Sequence, residues 1–289
     1  MQDDTKGLRA LIEGNEPVFA PLVLDPMMAK LAEKAGFPAL YLGGGSTGYL
    51  KTVTEANLSL TEMCHAGLDI RTACTLPLIL DGACGWGDPM HIHRTINMSE
   101  AAGFSAIEIE DQILPKRAHH HVGIEHIIPM ELMVDKVREA VRARRSRDFL
   151  IIARTNAVKN ASLDEALRRG EAMHKAGADI LFVLSRKPEE LRIIAERMPT
   201  PLMYMISSAG LAASGMTVAE LYGMGFKLFV DPVMPLLAMH RALRQSYAAL
   251  KEGRPDPTIG TEGHAEQQLM HETIGLEQLL EIERRTVEK

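Results

Sequence analysis

Ala35-Gly-Phe-Pro-Ala-Leu-Tyr-Leu42 occurs in four versions along the chain, and its repetition decides the fold. The others are Ala102-Gly-Phe-Ser-Ala-Ile-Glu-Ile109, Ala176-Gly-Ala-Asp-Ile-Leu-Phe182 and Met224-Gly-Phe-Lys-Leu-Phe-Val230. Each reads as a helix stopped by glycine, which tolerates the left-handed cap conformation, followed by a buried strand. Gly36, Gly103, Gly177 and Gly225 lie 67, 74 and 48 residues apart, so each interval has room for one further strand–helix pair. Apolar runs at 76–80, 149–153 and 201–206 supply those strands, and 18–24 supplies the first. Eight strands, each followed by a helical pattern and nearly continuously apolar, imply a parallel sheet buried on both faces. Closure gives an α/β fold, a (β/α)8 barrel of the TIM type. A doubly wound open sheet is the competing arrangement, and eight regular units favour the barrel.

Local signals agree with this layout. Asp25-Pro26 reads as an N-cap with proline at the first helical position. Ser162 and Glu165 have the spacing of a capping box. Met130, Met133, Val134, Val137 and Val141 share one helical face. Residues 1–253 are therefore assigned to the barrel. Residues 254–289 are assigned to a linker and one further helix, from about 265 to 286, with no strand to serve.

Composition narrows the function classes. The 289 residues are 46% hydrophobic and 24% charged, ordinary for a large soluble core. A net charge of −6 argues against general nucleic-acid binding. The basic run from Arg142 to Arg147 reads as cations closing a helix. Three cysteines without CxxC spacing and no recognisable signal peptide point to a reducing, cytoplasmic setting. No apolar run is long enough to span a bilayer.

In such a barrel, reactive groups stand at the C-terminal ends of the strands. Those ends read Gly43-Gly-Gly-Ser-Thr-Gly48, Asp81-Gly-Ala-Cys-Gly-Trp-Gly87, Glu110-Asp111, Arg154-Thr-Asn156, Ser207-Ser208 and Asp231-Pro232. The fourth strand then runs into a loop carrying Lys116, Arg117 and His119–His121. The glycine run reads as either an anion cradle or a flexible turn. Asp81 and Glu110 end adjacent strands, so their carboxylates can face one cavity roughly 5–8 Å apart. Two hard oxygen donors suit Mg2+, with Mn2+ as an alternative, although helix capping or pairing with Arg154 would also account for them. Arg154 suits either a substrate carboxylate or a buried ion pair. His91 and His93 are two apart on a helix and cannot chelate together, and three consecutive histidines are poor zinc geometry. Cys84 reads as a buried small hydrophobe.

Taken together, Tyr-Leu-Gly-Gly-Gly (41–45), Leu-Asp-Gly-Ala-Cys-Gly-Trp-Gly (80–87), Ile-Glu-Asp-Gln (109–112) with Pro-Lys-Arg (115–117), and Ile-Ala-Arg-Thr-Asn-Ala (152–157) resemble the isocitrate lyase/phosphoenolpyruvate mutase superfamily, from about residue 5 to 255. The resemblance implies a Mg2+-dependent barrel that acts on a 2-oxo acid or its enolate and makes or breaks C–C or P–C bonds. It also implies a homotetramer or homodimer that swaps its C-terminal helix. By resemblance, Gly44, Gly45 and Arg154 would hold the substrate carboxylate, with Ser46 and Ser207 beside it. Asp81 and Glu110 would hold the metal, and Lys116, Arg117 and His120 would lie on a loop over the site. Four departures stand out. The loop reads Lys116-Arg117-Ala118-His119-His120 where the lyases carry Lys-Arg-Cys-Gly-His, so their acid/base thiol is absent. Ala83 replaces a metal-site aspartate, Leu184 an acidic residue and Met205 an asparagine. The expectation is a lyase or decarboxylase acting on an oxaloacetate-like dicarboxylate through an enolate, with His119 or His120 supplying the proton. The alternative is an altered barrel that binds a dicarboxylate without catalysis. A phosphonopyruvate mutase or hydrolase ranks behind both.

Overall fold

A computed structural model describes residues 6–199 and 201–288. Eight parallel strands run in chain order around the sheet: β1 (Val18–Pro21), β2 (Leu40–Leu42), β3 (Leu78–Asp81), β4 (Ala106–Glu110), β5 (Leu150–Thr155), β6 (Ile180–Val183), β7 (Leu202–Met205) and β8 (Phe226–Asp231). β1 pairs with β8, and the remaining seam closes through a parallel bridge between Leu22 and Tyr41. The Val23 N–H donates to the Tyr41 carbonyl across that seam at 2.9 Å. The expected barrel is therefore present, and the open sheet is excluded.

The cap signals hold. Gly36, Gly103, Gly177 and Gly225 all have positive φ, between 83 and 105°, where a Cβ would be strained. The Asp25 carboxylate accepts from the Met28 N–H at 2.8 Å with Pro26 at the first helical position. Ser162 caps its helix through the Glu165 N–H, but the reciprocal half of the expected box is missing. The Glu165 carboxylate turns to Arg168 and Arg169 instead, because charge-assisted pairing along the helix face is the stronger interaction.

Two packed layers follow from the pleat. Outward strand residues meet the surrounding helices, whereas Val18, Ala20, Tyr41, Ile79, Ala106, Leu150, Ile152, Ile180, Phe182, Met203, Leu228 and Val230 fill the barrel interior. The short helix Leu8–Ile12 plugs the N-terminal end, burying Leu8 and Ile12 against that inner cluster. Only the opposite mouth is left for chemistry.

The single expected C-terminal helix is two, Gly263–Thr273 and Leu276–Thr286. They break at Gly275, which has φ 68° and resets the chain direction. The first of them lies against the helix Pro26–Lys34 of the same chain, where Lys34 pairs with Glu272 at 3.2 Å. Among the described residues no helix is long and apolar enough to cross a membrane.

Candidate active site

Alternation along each strand decides what reaches the mouth. Asp81 follows inward-facing Ile79, Glu108 and Glu110 follow Ala106, and Arg154 follows Leu150 and Ile152. In the parallel register Glu110 stands directly opposite Arg154. Asp111, one residue further along, points the other way. It accepts from the Thr155 hydroxyl at 2.6 Å, the Asn156 N–H at 3.0 Å and Arg169 at 3.0 Å, tying the strand end to the helix Leu163–Lys175. Of the two acids read at the end of β4, Glu110 belongs to the mouth and Asp111 to the scaffold.

The inward groups form one continuous network. Arg154 donates Nη1 to Glu108 at 2.9 Å and Nε to Asn156 Oδ1 at 3.0 Å, and its guanidinium lies over the Phe182 ring. Tyr41 donates its hydroxyl to the other oxygen of Glu108 at 3.0 Å. Glu110 accepts from Lys116 at 2.5 Å, Asn156 Nδ2 at 2.9 Å and Gln112 Nε2 at 3.0 Å. Lys116 also donates to Glu55 Oε1 at 2.8 Å, bridging the two carboxylates. Asp81 accepts the N–H groups of Gly44 and Ala83, each at 3.0 Å.

Three carboxyls (Glu55, Glu108, Glu110) pair with two cations, Lys116 and Arg154, and Asp81 stands beside them on backbone N–H groups. Burial and the placement of the two cations set the protonation of the first three. Burial raises the Glu110 carboxyl, but Lys116 and Arg154 outweigh it and hold it at about 2. Burial, reinforced by Asp81, pushes Glu55 up to about 8. Burial pushes Glu108 up to about 7 against the opposing pull of Arg154. At neutral pH Glu110 is an anion and Glu55 holds a proton.

The β4 loop roofs the site. It is pinned at its base by Ile113 N–H to His126 O and Ile128 N–H to Asp111 O. His121 accepts or donates at 2.9 Å to both the Tyr49 and the Thr54 hydroxyls. His120 approaches the Arg117 carbonyl through Nδ1 at 2.6 Å. A carbonyl only accepts, so Nδ1 carries the hydrogen and Nε2 keeps its lone pair. That Nε2 is buried with no hydrogen-bond partner and lies 3.6 Å from Glu55 Oε2. Burial lowers the His120 pKa, which keeps the ring neutral.

Several expected residues stand elsewhere. In the glycine run, Gly44–Leu50 is a helix that begins at once after β2, and the Gly44 N–H is taken by Asp81. The glycines make room. A Cβ on Gly44 would meet the Glu55 side chain at 3.0 Å, and one on Gly48 would meet the Glu55 backbone nitrogen at 2.7 Å. Gly45 has looser contact with Glu55, at 3.8 Å. The Ser46 hydroxyl donates to the Pro232 carbonyl at 2.5 Å and locks the helix to the end of β8. The Ser207 hydroxyl lies inside its own turn, near Gly210 O and the Ala209 N–H. Arg117 and His119 are exposed on the outer side of the loop, because the turn that seats Lys116 and His120 faces them away. His91 caps its own helix and His93 pairs with Glu139, so the two do not converge. Cys64, Cys74 and Cys84 are buried free thiols, and burial raises the Cys84 pKa far above its usual range.

Two members of the cluster were not singled out in the sequence. Glu55 comes from a turn far from any strand end, and its only signal is an acid behind a glycine-rich helix start. Glu108 had a signal, since it shares the period-two face of Ala106 and Glu110.

A family model for phosphoenolpyruvate phosphomutase matches residues 8–251, nearly the whole barrel. The chain belongs to the phosphoenolpyruvate mutase/isocitrate lyase superfamily. Among characterised members, the 2,3-dimethylmalate lyase of Eubacterium barkeri is 34% identical over 284 residues, covering 96% of each chain. The 2-methylisocitrate lyase of Aeropyrum pernix is 37% identical over 247 residues, covering 85% of this chain and 78% of its own. A phosphonopyruvate hydrolase solved with oxalate and Mg2+ superposes with a TM-score of 0.83 at 28% identity, covering 97% of this chain and 98% of that one. No group of three or more His, Cys, Asp or Glu among the described residues is placed to hold a metal. Asp81 and Glu110 remain as two hard oxygen donors, a set that fits a divalent ion which keeps most of its waters.

Proposed function

We propose that this chain is a carbon–carbon lyase or decarboxylase that acts on a small 2-hydroxy or 2-oxo dicarboxylate. The observation that carries the reading is the convergence of Asp81, Glu110 and Arg154 at one mouth, roofed by Lys116, His120 and Glu55. The general class, lyase or mutase chemistry on small dicarboxylates, accords with the superfamily and with the relatives named above. Asp81 and Glu110 would hold Mg2+, largely through water. When bound, the ion would supply electrostatic stabilisation to an enolate oxygen.

The chain's own residues do the rest. Arg154 is fixed by Glu108 and Asn156, and none of the described hydrogen bonds engages its Nη2, which is left for a substrate carboxylate. Lys116 adds positive charge over the same space. Bond cleavage leaves an electron pair on carbon, and a proton must reach that carbon; in a 2-hydroxy substrate the hydroxyl proton must also leave as the carbonyl forms, and the free lone pair of His120 Nε2 is the group available to take it. Protonated Glu55, with the lone pair of His120 Nε2 beside it, takes the place of the thiol missing from this loop. His119 is too exposed for that role.

Thermal unfolding with oxalate and Mg2+ tests the site. At a hundredfold excess over Kd, linkage adds about 2.7 kcal/mol, a rise in Tm of about 5 °C or more. Product release from oxaloacetate, 2-methylisocitrate, 2,3-dimethylmalate and phosphonopyruvate tests the reaction. A Tm shift with no product from any of them would leave a dicarboxylate-binding barrel. Absence of both would overturn the proposal.

A further inference from the structure

The mouth has two unlike halves. β3, β4 and β5 end in Asp81, Glu110 and Arg154, and their charges interlock as described. The next two strands offer nothing comparable. On β6 the inward series is Ile180, Phe182, Leu184, and on β7 it is Met203, Met205. Leu184 and Met205 are half-buried and pack on the inner cluster of the barrel, one pleat above Phe182 and Met203. In the register Phe182 stands opposite Arg154, so Leu184 lies one pleat beyond the charged row, toward the open end of the mouth.

The polar side chains nearest them in the chain are engaged elsewhere. The Ser185 hydroxyl donates to Glu190 at 2.5 Å, away from the barrel axis. Ser207 closes its own turn. The Leu184 N–H donates to the Thr155 carbonyl and the Ile206 N–H to the Val230 carbonyl, so the strand ends offer no free amide there. With Arg154 taken by the head of the substrate, a second carboxylate placed against this wall would lose its hydration and gain no donor from β6 or β7, which is strongly unfavourable. An alkyl group would lose nothing and would gain burial.

We propose that Leu184 and Met205 are specificity-determining residues that form an alkyl-accepting wall. The preferred substrate is then a 2-hydroxy or 2-oxo dicarboxylate whose carbon chain carries methyl or larger alkyl groups on the β6–β7 side, with no third carboxylate and no phosphoryl group there. This deepens the reading above and rests on it, because the charged half must first seat the head of the substrate.

A ligand series read in the presence of Mg2+ separates the two claims. Oxalate has no far half, so its Tm shift reports the charged half alone. Malate, 2-methylmalate, 2,3-dimethylmalate and the tricarboxylate 2-methylisocitrate then report the wall, as Kd by calorimetry or as kcat/KM where turnover is seen. Each methyl that meets the wall is expected to improve the value by about fourfold or more. The tricarboxylate is expected to fall below dimethylmalate by at least tenfold. Leu184→Glu combined with Met205→Asn is expected to reverse that order while leaving the oxalate shift in place. Oxalate binding with a preference for the tricarboxylate, or with no gain on methylation, would overturn the wall and leave the proposed function standing. Absence of any oxalate shift would overturn both. The wild-type series decides the matter even if the double variant fails to fold.

Discussion

Glu108 lies at the floor of the site between Tyr41 and Arg154 with 1% of its surface exposed, and its protonation can be read from stability. Burial raises its pKa from 4.5 to about 7. Below pH 4.5 the carboxyl is neutral in both the folded and the unfolded chain and contributes no pH dependence. Between 4.5 and about 7 the unfolded chain loses this proton while the folded chain keeps it, so stability falls as pH rises. Above that window both forms are ionised and the loss is complete. At about 1.36 kcal/mol per pH unit the loss amounts to roughly 3 kcal/mol. Glu108→Gln removes it, because the amide keeps the shape, accepts from Arg154 and never ionises. Urea unfolding at pH 5, 6, 7 and 8, with unchanged m-values, is the assay. The variant should match the wild type near pH 5 and exceed it by about 3 kcal/mol at pH 8. Glu55 follows the same trend in both proteins and cancels in the difference. A difference that stays flat across the range, or one in which the variant loses ground as pH rises, would mean that Arg154 keeps Glu108 ionised in the folded state. The burial argument would then be wrong.

Three further outcomes follow from the same geometry. Glu55→Gln should lower product formation by about 10²–10⁴-fold and keep oxalate binding within about threefold. In the wild type, kcat/KM should fall as pH rises through about 8, where the Glu55 carboxyl gives up its proton, and that falling limb should vanish in the variant. Asp111→Ala leaves the buried Arg169 with Glu165 as its one remaining acid and strips the Thr155 hydroxyl and the Asn156 N–H of their acceptor, and should cost about 3–5 kcal/mol in urea unfolding; a loss below about 1 kcal/mol would refute the scaffold role. Gly48→Ala drives a methyl group against the Glu55 backbone and should cost about 1–3 kcal/mol. A crystal structure of that variant should show Lys116 no longer hydrogen-bonded to Glu55.

Much of this molecule was legible in one dimension. The repeated glycine–strand phrase depends only on neighbours in the chain, namely a left-handed cap and an apolar run, so it survives without tertiary context. The ends of the apolar runs are equally local. They identified Asp81, Glu110 and Arg154 as strand-end groups, and their appearance at one mouth follows from barrel closure. Strand boundaries were less well defined, because the hydrogen-bond ladder that ends a strand belongs to its neighbour.

What sequence could not decide is which groups meet from distant segments. Glu55 and Lys116 are 61 residues apart and touch because Gly48 admits the Glu55 backbone and Gly44 leaves room for its side chain. Those same glycines had read as either an anion cradle or a flexible turn, since a bare amide looks identical whether it faces a ligand or the Asp81 carboxylate. Arg117 and His120 are near neighbours in one loop, yet only the fold turns one outward and buries the other's nitrogen beside an acid. The protonation states of Glu55, Glu108 and Glu110 arise the same way. Three chemically identical carboxyls differ because burial and the placement of two cations differ, and both are properties of the packed interior alone.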